Sequence, residues 1–350
     1  MPERILALRP RAMGDVVLTT PALRSLKRGH PGAELHVVTD PRYAPLLEGL
    51  PEIDRVLPLD RGAASTARLI AELRRRRWAL AVDFFGNPRS AFITALSGAA
   101  VTAGYDLRGR RYAYRVRVPR NPPPGSPRRE YAAATHLRLA AVVGGVTDGE
   151  DARVSVSPAS RAEAERLLAG LGLQDPRGAV GLVAAGTWGP KTWPLSHAAV
   201  LARRLIRQGY AVLVISGPGE DPVRGRLIDL VPEARALPAC GVGVLAAVIS
   251  RLGAVVGTDS GPRHLAVALG VPTFAWFGPT HPENWTPEGE LHGLWWTDVP
   301  CRGCGRTSCP HWTCLPALDP ERAAALVLGH LERHGRHGRS TSDLGSAARA

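Results

Sequence analysis

Three stretches hold residues whose types and spacing could do chemistry. The first is residues 254–280, AVVGTDSGPRHLAVALGVPTFAWFGPT, where a short apolar run ends at Asp259 and Ser260-Gly261-Pro262 turns the chain. Pro262 suits the first turn of a helix, where its missing N–H costs nothing. Leu265, Ala266 and Leu269 then mark one apolar helical face, and Thr273 to Phe277 reads as the next strand. A carboxylate thus stands at the C-terminal edge of a strand, beside helix-start N–H groups that could hold an anion. Asp259 could equally cap that helix. The second stretch, residues 185–191, is a Gly-rich turn, AGTWGPK, closed by Lys191. Lys191 and Lys27 are the only lysines in a chain that otherwise uses Arg. Lys kept where Arg is the default suggests a point charge at work, or else a solvated surface lysine. The third stretch packs Cys301, Cys304, Cys309 and Cys314 into fourteen residues, with His311 among them and Cys240 far away. A structural metal, a local disulfide or redox pair, and packed free thiols all remain open. The spacing matches no standard zinc or iron–sulfur pattern.

The elements that must position these groups alternate. Residues 5–8, 34–39, 55–57, 78–83 and 101–105 read as strands, with helices expected at about 16–26, 43–50, 66–77 and 90–96. Pro21 must kink the first helix or mark its true start. Residues 107–129 carry eight arginines and the run Pro122-Pro123-Pro124 and read as an exposed basic loop. After a helix at 131–143 and a polar stretch, the pattern restarts with strands at 180–184, 211–215 and 254–256 and helices at 195–208 and 244–250. Alternating strands and helices argue for parallel, doubly wound sheets. The expected division is an N-terminal domain over 1–158, a C-terminal domain over 159–318, a helix over 319–335 and a disordered basic tail over 336–350. The natural ligand site of two such domains is the cleft between them.

With 350 residues, 45% of them hydrophobic, the chain can build two cores. No apolar run approaches the ~20 residues of a membrane span. MPERILALRP lacks the apolar segment of a signal peptide, so a cytoplasmic location is expected, with peripheral attachment at the inner membrane left open. A net charge of +13 predicts acidic partners: phosphates, anionic lipid head groups or nucleic acid. Nucleic acid is disfavoured because no aromatic–basic stacking surface or reading helix is evident. A nicotinamide oxidoreductase is disfavoured because no G-x-G-x-x-G closes a first strand with an acid about 20 residues later.

The motifs ILALRPRAMGDVVLTTPAL, GTWGPKTWP and GTDSGPRHLAVALGVPTFAWFGPT resemble those of the bacterial lipopolysaccharide heptosyltransferases of glycosyltransferase family 9, over residues 4–334. The cysteine-rich CRGCGRTSCPHWTCL is similar to a stretch found in many members. The resemblance implies an α/β, GT-B architecture: two Rossmann-like, doubly wound domains facing a central cleft. It implies an inverting, metal-independent transfer of heptose from an ADP-heptose donor to a lipid-linked core sugar, with no required cofactor. By the same resemblance Asp15 is the candidate general base, although it could instead cap the helix after Gly14. Lys191 would meet the donor diphosphate and stabilise the ADP leaving group. Gly186 and Thr187 would contact the same phosphates, as would the N–H groups of Ser260 and Gly261. Asp259 would bind donor sugar hydroxyls. His264, one turn into the helix, either donates to a phosphate or is a core histidine. Glu220 or Asp221, at the end of a strand, would hold the ribose hydroxyls. Arg89 and Arg111 are the acceptor candidates, facing phosphate or carboxylate groups of an inner-core lipid.

Overall fold

The structure is a computed structural model, and it describes residues 3–122, 130–186, 188–217 and 219–335. Thr187, Pro123 and Pro124, Arg128 and Arg129, and the tail from residue 336 lie outside the described residues. The chain divides into two units. One comprises Met1–Ser160 with Gly241–Ala246 and Glu283–Pro287; the other comprises Arg161–Cys240, Ala247–Pro282 and Glu288–Ala350.

In the first unit the chain runs β1 (Arg4–Leu8), α1 (Met13–Gly29), β2 (Glu34–Thr39), β3 (Arg55–Pro58), α2 (Ala63–Arg74) and β4 (Leu80–Asp83). It continues with α3 (Pro88–Leu96), β5 (Val101–Tyr105), β6 (Val116–Val118) and α4 (Ala132–Ala141). The six strands pair in parallel in the order β3-β2-β1-β4-β5-β6. Successive side chains of a strand point to opposite faces, and β1 uses both. Ile5 and Ala7 pack with Val16, Leu23 and Leu26 of α1 and Leu139 and Ala140 of α4. Leu6 and Leu8 pack with Leu69 and Leu73 of α2 and Ile93 of α3. A strand buried on both faces must be apolar throughout, which is why RILAL does not alternate.

Helix α1 continues through Pro21 from Met13 to Gly29, so Pro21 does not mark its start. Pro21 removes the N–H that would bond the carbonyl of Val17. The Thr20 hydroxyl donates to that carbonyl instead, at 2.8 Å. Residues 107–129 also depart from the loop reading, because Val116–Val118 forms β6 on β5. Its signal was the alternation Tyr114-Arg115-Val116-Arg117-Val118, in which Tyr114 and Val118 are buried and the arginines face outward. The arginine count hid that period of two. The helix expected at 43–50 reduces to a single 3₁₀ turn, Ala44–Leu46.

The second unit repeats the plan. After α5 (Pro158–Gly170) come β7 (Ala179–Val183), α6 (Leu195–Arg207), β8 (Ala211–Val214), α7 (Asp221–Leu230), β9 (Arg235–Ala236), α8 (Val242–Arg251) and β10 (Ala254–Thr258). Then follow α9 (Gly261–Ala268), β11 (Thr273–Phe277), α10 (Pro282–Trp285), β12 (His292–Trp296) and α11 (Pro320–His334). The parallel order is β12-β11-β10-β7-β8-β9, the same winding as the first sheet. Val180 and Leu182 meet Leu201 and Leu205 of α6, and Ala323 and Val327 of α11 close the same core. The short edge strands β9 and β12 were not foreseen. An edge strand is buried on fewer sides, so its composition is less constrained.

In each sheet the strand order reverses once, between β1 and β4 and between β7 and β10. Loops leaving the C-terminal ends of those strands form the crevice where open α/β sheets bind ligands. Asp15 follows β1, Lys191 follows β7 and Asp259 follows β10.

Candidate functional site

At the first reversal point, Asp15 is the third residue of α1, and its side chain closes a capping box on the N-cap residue Ala12, so the capping alternative holds. Its Oδ2 faces the backbone N–H of Ala12 at 3.4 Å, and Oδ1 is ion-paired with Nη2 of Arg9. The two partners differ in access: the Arg9 side chain is 3% exposed and that of Asp15 is 28% exposed. Arg9 is fixed from every side. Its N–H donates to Val38 O, its carbonyl accepts from the Thr39 hydroxyl, and Nη1 donates to Phe84 O at 2.5 Å. The guanidinium lies over the Phe85 ring, 5.1 Å from the centroid.

The loop holding Phe84 and Phe85 is itself pinned by a buried carboxylate. Asp83 Oδ1 accepts the N–H groups of Phe85 at 2.9 Å and Gly86 at 3.0 Å, and Oδ2 accepts the Tyr114 hydroxyl at 2.7 Å. Burial pushes the Asp83 carboxyl above its ordinary range despite those donors. Neither Arg9 nor Asp83 emerged from the sequence reading. The available signal for Arg9 was a charged residue directly after a buried strand and six residues before the acid.

At the second reversal point, Asp259 does not cap α9. Its Oδ2 accepts from Lys191 Nζ at 2.7 Å and from the Thr280 hydroxyl at 2.9 Å, while Oδ1 faces His264 Nε2 at 3.5 Å. Burial opposes ionisation of Asp259. The Lys191 ammonium, then His264 and Arg263, outweigh it and hold the carboxyl well below the usual carboxylate range. The Asp259 side chain is 3% exposed and that of Lys191 is 12% exposed. Lys191 also lies over the Trp188 ring, 5.1 Å from the centroid. Gly186 is glycine for packing: a Cβ there would lie 2.5 Å from the Lys191 Cβ. Gly257, at φ +150°, brings β10 so close to β7 that a Cβ would strike the Val183 carbonyl. The Thr258 hydroxyl donates to Ala185 O at 2.9 Å and ties the two strand ends together.

Ser260 precedes α9 in extended conformation, with its hydroxyl on Thr258 O at 3.1 Å. The first turn of α9 therefore has no side-chain cap, and the N–H of Gly261 opens the helix ahead of its first intrahelical carbonyl. Lys191, Asp259, His264 and Thr280 form one cluster here. Thr280 was missed because its loop follows a different strand. Glu220 and Asp221 lie at the end of the β8 strand–turn, with different partners. Glu220 Oε2 accepts the Gly217 N–H at 2.6 Å, whereas Asp221 is 62% exposed and paired with Arg224 at 2.8 Å.

Arg89 bridges α3 to the β3–α2 loop, donating to the Thr66 hydroxyl at 2.7 Å and to the carbonyls of Asp60 and Gly62. It lines a concavity of about 100 Å³ with Arg11, Arg61, Asp40 and Asn87. Arg111 instead bonds Asp106 in a two-pronged pair, at 2.5 and 3.1 Å, on the outside of the unit.

The cysteines do not form the metal site that was considered. Among the described residues no group of three or more His, Cys, Asp or Glu could hold a metal ion, and all five cysteines are free thiols. Tetrahedral ligation needs four sulfurs converging at about 2.3 Å from one ion. Cys314 is instead turned inward beside Gly278 and Leu315, where burial raises its thiol pKa, while Cys301 and Cys304 are exposed. Cys309 accepts the Trp312 N–H at 3.2 Å, and the N–H groups of Trp312 and His311 lower its pKa.

Known proteins match this chain over most of its length. The family model for glycosyltransferase family 9 (heptosyltransferase) matches residues 66–313. Lipopolysaccharide heptosyltransferase 1 of Pseudomonas aeruginosa is 27% identical over 364 residues, covering 93% of this chain and 97% of that protein. The crystal structure of a family 9 glycosyltransferase from Veillonella parvula superposes with a TM-score of 0.81 at 20% identity, over 95% of this chain and 97% of that one. The Escherichia coli heptosyltransferase WaaC with ADP-2-deoxy-2-fluoro heptose superposes with a TM-score of 0.67 at 21% identity, over 93% and 99% of the two chains. The fold, two doubly wound parallel sheets, is that of the GT-B heptosyltransferase structures. On the family match, supported by that fold, this chain belongs to glycosyltransferase family 9 and is a glycosyltransferase.

Proposed function

We propose that this chain transfers heptose from ADP-heptose to a lipopolysaccharide inner-core acceptor, with inversion at the anomeric carbon and without a divalent metal. The observation that carries the proposal is Lys191, a cation beside the N-terminal turn of α9, held by buried Asp259. An ammonium beside a helix N-terminus suits a diphosphate and stabilises the negative charge that grows on it as the glycosidic bond breaks. Two of the similar proteins are heptosyltransferases, and one of them, WaaC, is seen with ADP-2-deoxy-2-fluoro heptose.

In the proposed step an acceptor hydroxyl attacks the anomeric carbon. Its proton passes to the Asp15 carboxylate, the new C–O bond forms, and the electron pair of the old C–O bond leaves with ADP. Attack from the face opposite the leaving group inverts the centre. Lys191 with the N–H groups at the start of α9 would hold the phosphates, with Gly186 packed against Lys191; the contact expected of Thr187 falls on a residue outside the described ones. Ser260 would contribute its N–H. Asp259 serves here first as the anchor of Lys191; its Oδ1 edge, shared with His264, is what remains for donor sugar hydroxyls. Glu220, whose carboxylate already closes the turn after β8, is preferred over the outward Asp221 as the ribose ligand. The anionic part of the acceptor is assigned to the concavity of Arg11, Arg61 and Arg89. Arg111 would reach an acceptor only by leaving Asp106.

No helix among the described residues is long and apolar enough to cross a membrane. The basic surface would draw the chain to anionic lipid, at roughly 1 kcal/mol per well-placed Arg. The test is a nucleotide panel followed by transfer from ADP-heptose in EDTA. Stabilisation by ADP over UDP and GDP, with EDTA-resistant turnover that Asp15→Asn abolishes, supports the proposal. A preference for UDP or GDP would overturn the donor, and wild-type turnover in Asp15→Asn would remove the base.

A further inference from the structure

We infer that Arg9 is the positioning residue of the transfer step: it holds one oxygen of Asp15 so that the other faces the acceptor hydroxyl. This rests on the reading of Asp15 as the base. The grounds are geometric. Arg9 Nη2 takes Asp15 Oδ1 while Nη1 takes Phe84 O, so the guanidinium joins the exit of β1 to the exit of β4 and carries the carboxylate with it. The guanidinium offers Nη1 and Nη2 as separate donors in one rigid plane, whereas an ammonium must reach both acceptors from a single nitrogen.

Stability alone does not account for such a residue. Arg9 is 2% exposed, and its Nε is buried without a hydrogen-bond partner. A buried ion pair is often no more stabilising than apolar side chains of the same volume. The sequence nevertheless places a guanidinium here, clamps its backbone at both ends and lays it on Phe85. The loop that receives Nη1 is fixed in turn by Asp83, through Phe85 and Gly86. A chain of contacts runs from Asp83 to the loop, from the loop to Arg9, and from Arg9 to Asp15. Its outer end, Asp15, keeps access to solvent, 28% of the side chain.

In the reaction the acceptor O–H bond breaks and its proton moves to Asp15 Oδ2. Arg9 stays protonated and neither gains nor loses a bond to substrate. Its contribution, together with the Ala12 N–H that faces Oδ2 at 3.4 Å, is the direction of that oxygen, and a misplacement of about 1 Å can cost on the order of 100-fold in rate.

The experiment compares wild type with Arg9→Gln, Arg9→Lys and Asp15→Asn. Arg9→Gln should lose roughly 100-fold in kcat, with KM for the donor and stabilisation by ADP nearly unchanged. Its solvent deuterium isotope effect on kcat should rise, because proton transfer to a misdirected carboxylate becomes rate-limiting. Arg9→Lys keeps the buried charge, and with it folding, but should recover only part of kcat. An Arg9→Gln enzyme that loses thermal stability yet keeps kcat and the isotope effect would overturn the inference, leaving Arg9 purely structural. If Arg9→Gln does not fold, wild-type kcat in Arg9→Lys overturns it equally. Turnover in Asp15→Asn would instead bring down the base reading, and the inference with it.

Discussion

Removing the Lys191 side chain should cost far more stability than neutralising its partner. Asp259 is 3% exposed and has Lys191 Nζ at 2.7 Å. In Lys191→Met the carboxylate keeps Thr280 and the neighbouring His264 but loses its full counter-charge. A buried ion stripped of its partner costs about 3–5 kcal/mol. In Asp259→Asn the orphaned group is Lys191, whose side chain is 12% exposed and can turn its ammonium to water. That loss should be about 1 kcal/mol, the value of an ion pair with access to solvent. The double variant should recover part of the Lys191→Met loss, because it removes the stranded carboxylate. Urea unfolding reads this directly. With a slope of about 2 kcal/mol/M, the Lys191→Met midpoint should fall by roughly 1.5–2.5 M. ADP affinity should separate the two variants in the same sense. Loss of one charge-assisted contact, about 1.5–3 kcal/mol, weakens binding roughly 10- to 100-fold in Lys191→Met, whereas Asp259→Asn retains the cation. If Lys191→Met unfolds close to wild type, or if Asp259→Asn is the less stable of the two, Asp259 is not anchoring a buried charge as argued.

Three further outcomes are expected. Burial, then Arg263 and His330, lowers the pKa of His292 to about 3, and burial, then His334, lowers that of His330 to about 4. Folded values below the unfolded ~6.5 mean stability is complete above that pH and is lost as pH falls toward 4 and 3, by about 1.4 kcal/mol per pH unit for each ring. Urea midpoints measured between pH 7 and 5 should fall accordingly, and a flat profile would contradict the burial of both rings. Tyr114→Phe removes one of the donors to buried Asp83 and should cost about 1–3 kcal/mol, read by thermal unfolding. Thr20→Val should cost a similar ~1–3 kcal/mol, because Thr20 serves both Val17 O and the Arg153 N–H; an unchanged melting curve would mean another donor covers the gap left by Pro21.

The central strands were legible because a strand buried on both faces has only apolar positions, as in RILAL and AVGLV. The edges were not. β6 alternates valine with arginine, β9 has two residues, and β12 mixes His292 and Gly293 with tryptophans. Each is buried too little to force a pattern. At the site, the motif residues Asp15, Lys191 and Asp259 stood out because strand ends and glycine turns frame them. Their partners did not. Arg9, Thr280 and Asp83 act through distance in space, and Thr280 lies 21 residues from the carboxylate it donates to. The cysteine run misled for the complementary reason: close in sequence, its members face different environments, Cys314 inward and Cys301 outward.

The two reversal points use one device with opposite sign. After β1 an accessible carboxylate, Asp15, is gripped by a buried guanidinium; after β7 a more accessible cation, Lys191, is gripped by a buried carboxylate. In both cases the enclosed partner is tied to a second chain segment: Arg9 to Phe84 O, Asp259 to the Thr280 hydroxyl. A side chain at a loop is otherwise free to rotate, and fixing a long one costs up to about 2 kcal/mol of rotamer entropy. A buried counter-charge spends that cost during folding, so the outer group is already oriented when a substrate arrives. The arrangement also fixes what each group can do. A carboxylate on an arginine that never loses its proton can accept one from a hydroxyl without its partner competing for it. An ammonium held at 2.7 Å by a carboxylate that is kept ionised is positioned to be shared with an incoming phosphate. Under the proposed metal-free transfer, proton acceptance at one sheet and charge stabilisation at the other are the two tasks that these side chains would take.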